Sequence, residues 1–388
     1  MRSAVSMRSA EKRGLVLAFF VFGLFWGAWS AVLPALRQQA HLSDGELGLA
    51  LGAIAVSAVP MMPVAGLLAD RFGARVALPT ALLAFGIVVP LPALTHSLGA
   101  LVPLLVLVGL ATGALEVFAN TTAATWERVE SDRLMSTVHG AFSVGVLVGG
   151  ASAGLAREAG AKPFGVLLAA AVVIVLVGLS QPRYRTVGSE ATTAERSRLP
   201  LVMLGIGLLT AAAFLCEDAV QSWSSLHLER GLGASPAVSG LGPALFAGAM
   251  AVGRLGGGAV HVGERVQLAV AGSLLTAGVL IVSVAPSPGV ALAGLVVAGA
   301  GTSVLAPVLY SAVGARAAPG RQGAALSKVT ALGYVGFVAG PPLVGAVSAA
   351  SSLPVALGSL AVLSTAIAVA GPLVLRPSGS LTKPGAPL

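Results

Sequence analysis

Charge is scarce in this chain. Asp, Glu, Lys and Arg make up 10% of its 388 residues, against 56% for hydrophobic types. A soluble domain carries about 25% charged residues, so a pair of ordinary soluble domains is excluded and one membrane-embedded body is expected. Cysteine is nearly absent. The single Cys216 excludes a disulfide framework, and no Cys/His cluster has metal-site spacing, so neither metal nor cofactor is expected. No Gly-x-x-x-x-Gly-Lys-Ser/Thr loop occurs, which leaves an ATP-driven pump without support. No nucleophile–base or metal constellation marks an intramembrane enzyme, and no enzymatic activity is expected.

What the chain has instead is apolar length. Twelve spans run near 14–36, 46–69, 76–95, 100–124, 136–156, 164–180, 200–222, 236–258, 266–285, 289–313, 324–347 and 354–375. Each holds roughly 17–25 residues, enough for a helix to cross about 30 Å of hydrocarbon. The net charge of +8 raises the question of nucleic acid, but its distribution answers it. With the N-terminus inside, 19 basic residues fall on the cytoplasmic side, and only Arg37, Arg157, Lys162 and Arg230 fall outside. That positive-inside bias is an orientation signal and is expected to put both termini in the cytoplasm. The apolar run to Pro34 is too long for a signal-peptide core, so it reads as a retained first helix, starting from Met1 or Met7.

The longest polar segment lies between Gln181 and Pro200. It suggests a bundle over 1–180, a cytoplasmic linker over 181–199, a second bundle over 200–375 and a tail over 376–388. The halves are related. A shift of 190 residues lays Gly52, Gly66, Gly73 and Arg75 on Gly242, Gly256, Gly263 and Arg265, and Val106, Gly109, Thr112 and Leu115 on Val296, Gly299, Thr302 and Leu305. One further residue of shift pairs Gly145 and Gly149 with Gly336 and Gly340. Small residues also recur four apart, at Gly23/Gly27, Gly48/Gly52, Gly109/Gly113, Gly145/Gly149 and Gly336/Gly340. They permit close backbone approach in lipid, and they also leave smooth faces on which helices can rock. After Gly336 and Gly340, Pro341 and Pro342 can bend span 11.

Charges within the spans are exceptions, because a central carboxylate costs about 2.5–3.5 kcal/mol on insertion scales. Glu116 lies four residues before Asn120, on the same helix face, with no basic partner near mid-span. Removal from water favours the neutral carboxyl. Glu116 therefore reads as a proton carrier, or as a neutral Glu bonded to a neighbouring helix. Glu217 and Asp218 are adjacent, so they point about 100° apart. Gln221, Trp223, Ser224 and Ser225 follow them, which suggests the outer end of span 7 and either a cavity-facing acid or an outer gate. Trp26 and Ser30 share a face of span 1, where the indole can stack on a sugar or a flat ring, or face lipid. His139 opens span 5 as a second proton carrier or a cap. Tyr334 is a polar residue of span 11, and Tyr310 falls at the repeat position of Asn120.

The charged turn Gly66-Leu67-Leu68-Ala69-Asp70-Arg71-Phe72-Gly73-Ala74-Arg75 resembles the loop signature between helices 2 and 3 of the major facilitator superfamily. Further pieces resemble that superfamily's bacterial fucose-permease-like branch with its uncharacterised inner-membrane members. They are Phe25-Trp26-Gly27-Ala28-Trp29, Leu42-Ser43-Asp44-Gly45-Glu46-Leu47-Gly48, Leu115-Glu116-Val117-Phe118-Ala119-Asn120, Met135-Ser136-Thr137-Val138-His139-Gly140 and Glu217-Asp218-Ala219-Val220-Gln221-Ser222-Trp223. The resemblance implies an all-α membrane protein: twelve transmembrane helices in two six-helix pseudo-symmetric halves. It also implies alternating access and proton coupling, with Glu116 as the proton carrier. Sugar-carrying members have a second carboxylate four residues before the span-1 proline. This chain departs from them, with Ser30 there.

The expected protein is thus a monomeric secondary transporter of a small organic solute, driven by a proton gradient. Export of a hydrophobic or drug-like compound is slightly favoured over sugar uptake, and a non-transporting sensor is the rival from another class. Its substrate cavity is expected from Asn120, Trp26, Ser30, Glu217, Asp218, Gln221, Tyr310 and Tyr334. Its gating elements are expected from Gly66, Asp70, Arg71, Gly73, Arg75, Gly336, Gly340 and Pro341. The second copy of the turn has Val260 and His261 where Asp70 and Arg71 stand. The outer glycines therefore read as needed in both halves, and Asp70 with Arg71 as an inner latch that holds the outward-facing state.

Overall fold

A computed structural model describes residues 2–130, 134–182, 184, 200–256, 262–317 and 321–376. Most of the linker, the tail beyond Arg376, Val260 and His261, and the Asp70 side chain lie outside the described residues. Thirteen α-helices follow one another, and no strand occurs among the described residues. The first half holds α1 (Arg2–Gln39), α2 (Asp44–Phe72), α3 (Ala74–Val88), α4 (Leu98–Glu130), α5 (Leu134–Glu158) and α6 (Pro163–Leu179). The second holds α7 (Leu201–Leu226), which continues as a π turn over His227–Gly231, then α8 (Pro236–Gly256) and α9 (Glu264–Ser283). It ends with α10 (Pro288–Thr302), α11 (Leu305–Arg316), α12 (Gln322–Ala350) and α13 (Leu353–Val374).

The sequence reads span 10 as one helix. It is two, α10 and α11, within one apolar stretch from Pro288 to Arg316. The break falls at Ser303 and Val304. The Ser303 hydroxyl donates to the Ala300 carbonyl at 2.6 Å, a local bond that competes with helix continuation. The break is buried, so its loosened backbone is away from lipid.

Local chemistry explains several boundaries. The Ser43 hydroxyl accepts from the Glu46 amide at 3.2 Å, while the Glu46 carboxylate accepts from the Ser43 amide at 2.8 Å. This capping box starts α2. Gly73 ends α2 with φ +71° and returns its amide to the Ala69 carbonyl at 2.8 Å. That backbone region favours glycine. Beyond α6, the Tyr184 hydroxyl donates to Gln181 Oε1 at 2.6 Å, and burial raises its pKa above the ordinary tyrosine value.

Glycine sets the packing within each half. A Cβ at Gly23 or Gly27 would collide with the Phe142 or Val146 carbonyl of α5, and one at Gly145 or Gly149 with the Phe20 or Leu24 carbonyl of α1. Gly109 and Gly113 of α4 meet α2 in the same way, and Gly336 of α12 meets Ala211 of α7. These contacts are backbone on backbone, as expected where lipid supplies no hydrophobic drive between helices. Gly66, Gly256 and Gly263 differ, with nothing within 4 Å of an added Cβ. The expectation that the outer glycines are needed in both halves is therefore corrected. In this conformation only Gly73 has a structural demand, and it comes from its φ angle.

The core centres on Trp29, Trp223, Phe25, Phe85 and Phe246, all essentially inaccessible. The outside of the barrel of helices carries exposed Leu67, Val76, Ile87, Leu176, Leu208 and Val362. An apolar belt of this kind suits hydrocarbon. The halves meet where α5 lies on α8 and α2 on α12, with Gly150 against Gly240 and Gly48 against Gly345. Both crossings lie at the end of the molecule that carries the α1–α2 turn, and that end is closed.

Candidate functional site

The polar residues within the spans converge between the halves. The Tyr334 hydroxyl of α12 donates to Glu116 Oε1 of α4, which joins the two halves at mid-depth. The partner of Glu116 is thus a phenol from the other half. Asn120 Nδ2 donates to the Glu116 main-chain carbonyl at 2.9 Å, so its amide is turned back on α4 and leaves its oxygen free of that bond. Thr112, one turn before Glu116, is buried with its hydroxyl unpartnered. Sequence reading used Thr112 only as a repeat match.

Glu217 and Asp218 sit near the middle of the 31-residue span Leu201–Gly231. This corrects the outer-end placement. The span runs further than its apolar stretch suggests, because Trp223, Ser224 and Ser225 are buried and continue the helix. Arg254 Nη2 of α8 lies 3.4 Å from Glu217 Oε1, with both side chains about one-fifth exposed. The charge count over the sequence puts Arg254 among the basic residues of the cytoplasmic side, at the end of span 236–258. The structure places it in the last turn of α8, with its guanidinium at the acid. The signal was present as an arginine before the glycine run, but a long side chain at a helix end reads as a loop charge. His139 of α5 lies within electrostatic reach of Arg254 from the other half and packs edge-on to Phe19 at 5.3 Å. The Ser222 hydroxyl donates to Asp218 Oδ1 at 3.4 Å, and Gln221 is half-buried nearby.

Aromatic rings form the wall beside these acids. Phe214 stacks on Phe337 at 4.5 Å, with Tyr334 at 5.6 Å from Phe337 and Tyr310 edge-on to Phe214 at 6.4 Å. Phe214 and Phe337 were missed, because apolar rings in apolar spans carry no mark. Trp26 is half-buried and lies edge-on to Phe22 and Phe25, opposite in the first half. Ser30 is not at the open part of the site. It is 2% exposed, its hydroxyl donates to the Trp26 carbonyl, and its own carbonyl accepts from Ser225 at the closed end.

The expected gating residues divide. Gly336 and Gly340 lie against α7, and the Pro341 carbonyl faces Gly48 of α2 across the halves. Arg71 and Arg75 are exposed, with the Arg71 guanidinium 5.5 Å from the Phe72 ring. No cluster of metal-ligating side chains occurs among the described residues.

Two helical halves with acids, an arginine and aromatic rings at their mid-depth junction define a polytopic membrane carrier. The chain matches the Major Facilitator Superfamily family model over residues 15–260 and 202–387, and it belongs to that superfamily. An uncharacterised MFS-type transporter of Yersinia pestis is 31% identical over 97% of this chain and 98% of its own length. The membrane protein MosC of Rhizobium meliloti is 30% identical over 87% of this chain and 84% of its own. Among solved structures, the fold resembles a bacterial homologue of the human lysosomal transporter Spinster, in an inward-facing and unoccupied conformation. There the TM-score is 0.74 at 17% identity, covering 95% of this chain and 97% of that one. A mutant of the nucleoside transporter NupG gives a TM-score of 0.76 at 14% identity, over 94% and 100%. The protein is a membrane transporter of the MFS type and not an enzyme.

Proposed function

We propose that the chain is a proton-coupled transporter of a small organic solute, working by alternating access in the cytoplasmic membrane, with Glu116 as its proton site. The bond from Tyr334 to Glu116 carries this reading. It ties the charge state of an acid on one half to a hydroxyl on the other. A proton on Glu116 then acts as a ligand with different affinity for the two arrangements of the halves, which is what coupling requires. Trp26, Asn120, Glu217, Asp218, Gln221, Tyr310 and Tyr334 line the substrate cavity. The basic-residue asymmetry supports an outside position for the α1–α2 end, and with that end closed the state reads as inward-facing. The division into a bundle over 1–180 and another over 200–375, joined by a cytoplasmic linker, is part of the same proposal, as is a monomeric carrier of the fucose-permease-like branch.

The aromatic wall of Phe214, Tyr310, Tyr334 and Phe337 favours a hydrophobic or drug-like compound, and export is the preferred direction. Sugar uptake is the second reading. Asn120, Gln221 and Trp26 support it, while Ser30 stands against a two-acid scheme. The test is flux in proteoliposomes under an imposed pH gradient, with sugars and drug-like compounds screened in parallel. Glu116→Gln should abolish gradient-driven flux and leave counterflow exchange. Unchanged pH-driven flux in that variant would remove the proton role. Tight binding with no flux of any compound would favour a sensor.

A further inference from the structure

The closed end joins the halves at two corners that the internal repeat relates. At one, α5 meets α8 and the π turn after α7. At the other, α12 meets α2 and the α1–α2 turn. An offset of 191 carries Gly154 onto Gly345 and Arg157 onto Ser348. The glycines behave alike. A Cβ on Gly154 would lie 2.8 Å from the Pro236 carbonyl oxygen, and one on Gly345 would lie 2.7 Å from that of Asp44. The polar residues three positions on do not behave alike.

Arg157 is 6% exposed at its side chain. It gives Nη1 to Glu229 Oε2 at 2.8 Å and Nη2 to Oε1 at 2.9 Å. Nη1 also donates to the Ala31 carbonyl at 2.8 Å, and the Ser239 hydroxyl adds a bond to Glu229 at 2.9 Å. At the other corner Ser348 gives one hydroxyl to Asp44 Oδ2 at 2.7 Å. Asp44 Oδ1 accepts from Arg37 of its own half at 2.9 Å and from Arg230 at 3.1 Å, and the Arg230 side chain is 49% exposed. A forked, charge-assisted and mostly dry pair is the stronger bond, while an exposed pair is screened by water and salt.

We propose that Arg157 and Glu229 form the principal latch of the closed end, and that the Asp44 corner is the weaker one, giving way first when that end opens. The repeat-related positions Arg157 and Ser348 thus hold a strong and a weak clasp, through acids that stand at unrelated positions of the two halves. The inference rests on the transporter reading, since only a protein that alternates has to break these bonds.

The test uses the full chain in lipid nanodiscs, with Cys216→Ser removing the one native thiol. Spin labels on Ala161→Cys and Ser235→Cys report the Arg157 corner, and labels on Gln38→Cys and Ser352→Cys report the Asp44 corner. Electron–electron distance distributions are then read for each pair. Arg157→Gln and Glu229→Gln should each raise the ratio of long to short distances at both corners roughly tenfold. Ser348→Ala combined with Arg230→Gln, which removes both bonds that Asp44 accepts from the other half, should raise it less than about twofold, and mainly at its own corner. The exchange Arg157→Glu with Glu229→Arg should return the distribution most of the way, which a folding defect would not do. An equal or larger shift with the Ser348→Ala and Arg230→Gln pair would overturn the proposal. So would no shift in either single variant, or an exchange no better than the singles. These distances are read without substrate or flux, so a carrier that moves nothing in proteoliposomes would fail the transport reading separately.

Discussion

Glu116 and Glu217 are carboxyls at similar depth, on α4 and α7, with partners of different kinds. Glu116 has a neutral phenol from the other half, and Glu217 has a guanidinium from its own. Proton loss turns the first pair from neutral to a carboxylate held by a neutral phenol, with no fixed countercharge, so its charge changes with the proton. The second pair carries its own countercharge and leaves a lone charge if either partner is removed. Tyr334→Phe should therefore slow gradient-driven flux in proteoliposomes while keeping its pH dependence, unlike Glu116→Gln. Arg254→Gln should lower thermal stability in detergent by about 2 kcal/mol, since one partner of a partly buried pair is left alone. Adding Glu217→Gln should recover more than half of that loss. Equal loss in the single and double variants would mean that Arg254 acts outside the pair. Glu116 was legible in the sequence, because a lone acid in an apolar span stands out. Its partner was not, because 218 positions separate Glu116 from Tyr334 and no local pattern joins them.

At the scale of the helices, the glycines give a graded series. Gly27→Leu would drive a side chain into the Val146 carbonyl of α5 and the Gly150 amide beside it, and should cost about 3 kcal/mol or prevent assembly. Gly73→Ala should cost about 1–3 kcal/mol, because φ +71° with ψ 161° is a backbone region that essentially only glycine adopts. Gly66→Ala should be nearly neutral for thermal stability in this conformation, since nothing lies within 4 Å. Thermal unfolding of the three variants in one detergent orders them, and a large loss for Gly66→Ala would contradict the open surroundings. Twelve spans, their order and their small-residue faces could be read from composition and spacing, because lipid forces long apolar helices on the chain. The break at Ser303 could not. Serine and threonine are common enough in such spans that one local hydroxyl bond leaves no distinctive spacing.

For the whole molecule, the proposed orientation is read by labelling from each side of the membrane. With Cys216→Ser as background, an impermeant maleimide should label His96→Cys in intact cells and Ser180→Cys only after permeabilisation. The reverse pattern would invert the reading of the α1–α2 end as outside. Asp70→Asn should shift the population further toward the inward-facing state, if the inner latch belongs to the outward-facing one. Accessibility labelling that shows no shift counts against that latch. The two-half plan was visible in the near-constant repeat offset, whereas the cross-half bonds were not. They join corners whose residues lie 72, 186 and 304 positions apart.

The elbow in span 10 bears on how the carrier fits its cargo. Ser303 is wedged where a Cβ on Gly253 would sit, next to Arg254, while Tyr310 rides on the far arm α11. A two-piece helix can swing its lower piece on a fixed upper piece. In the proposed cavity, a joint at Ser303 would let the wall that carries Tyr310 shift without tipping a whole half. Selectivity is then expected to grade with the shape of the cargo rather than cut off sharply at one size.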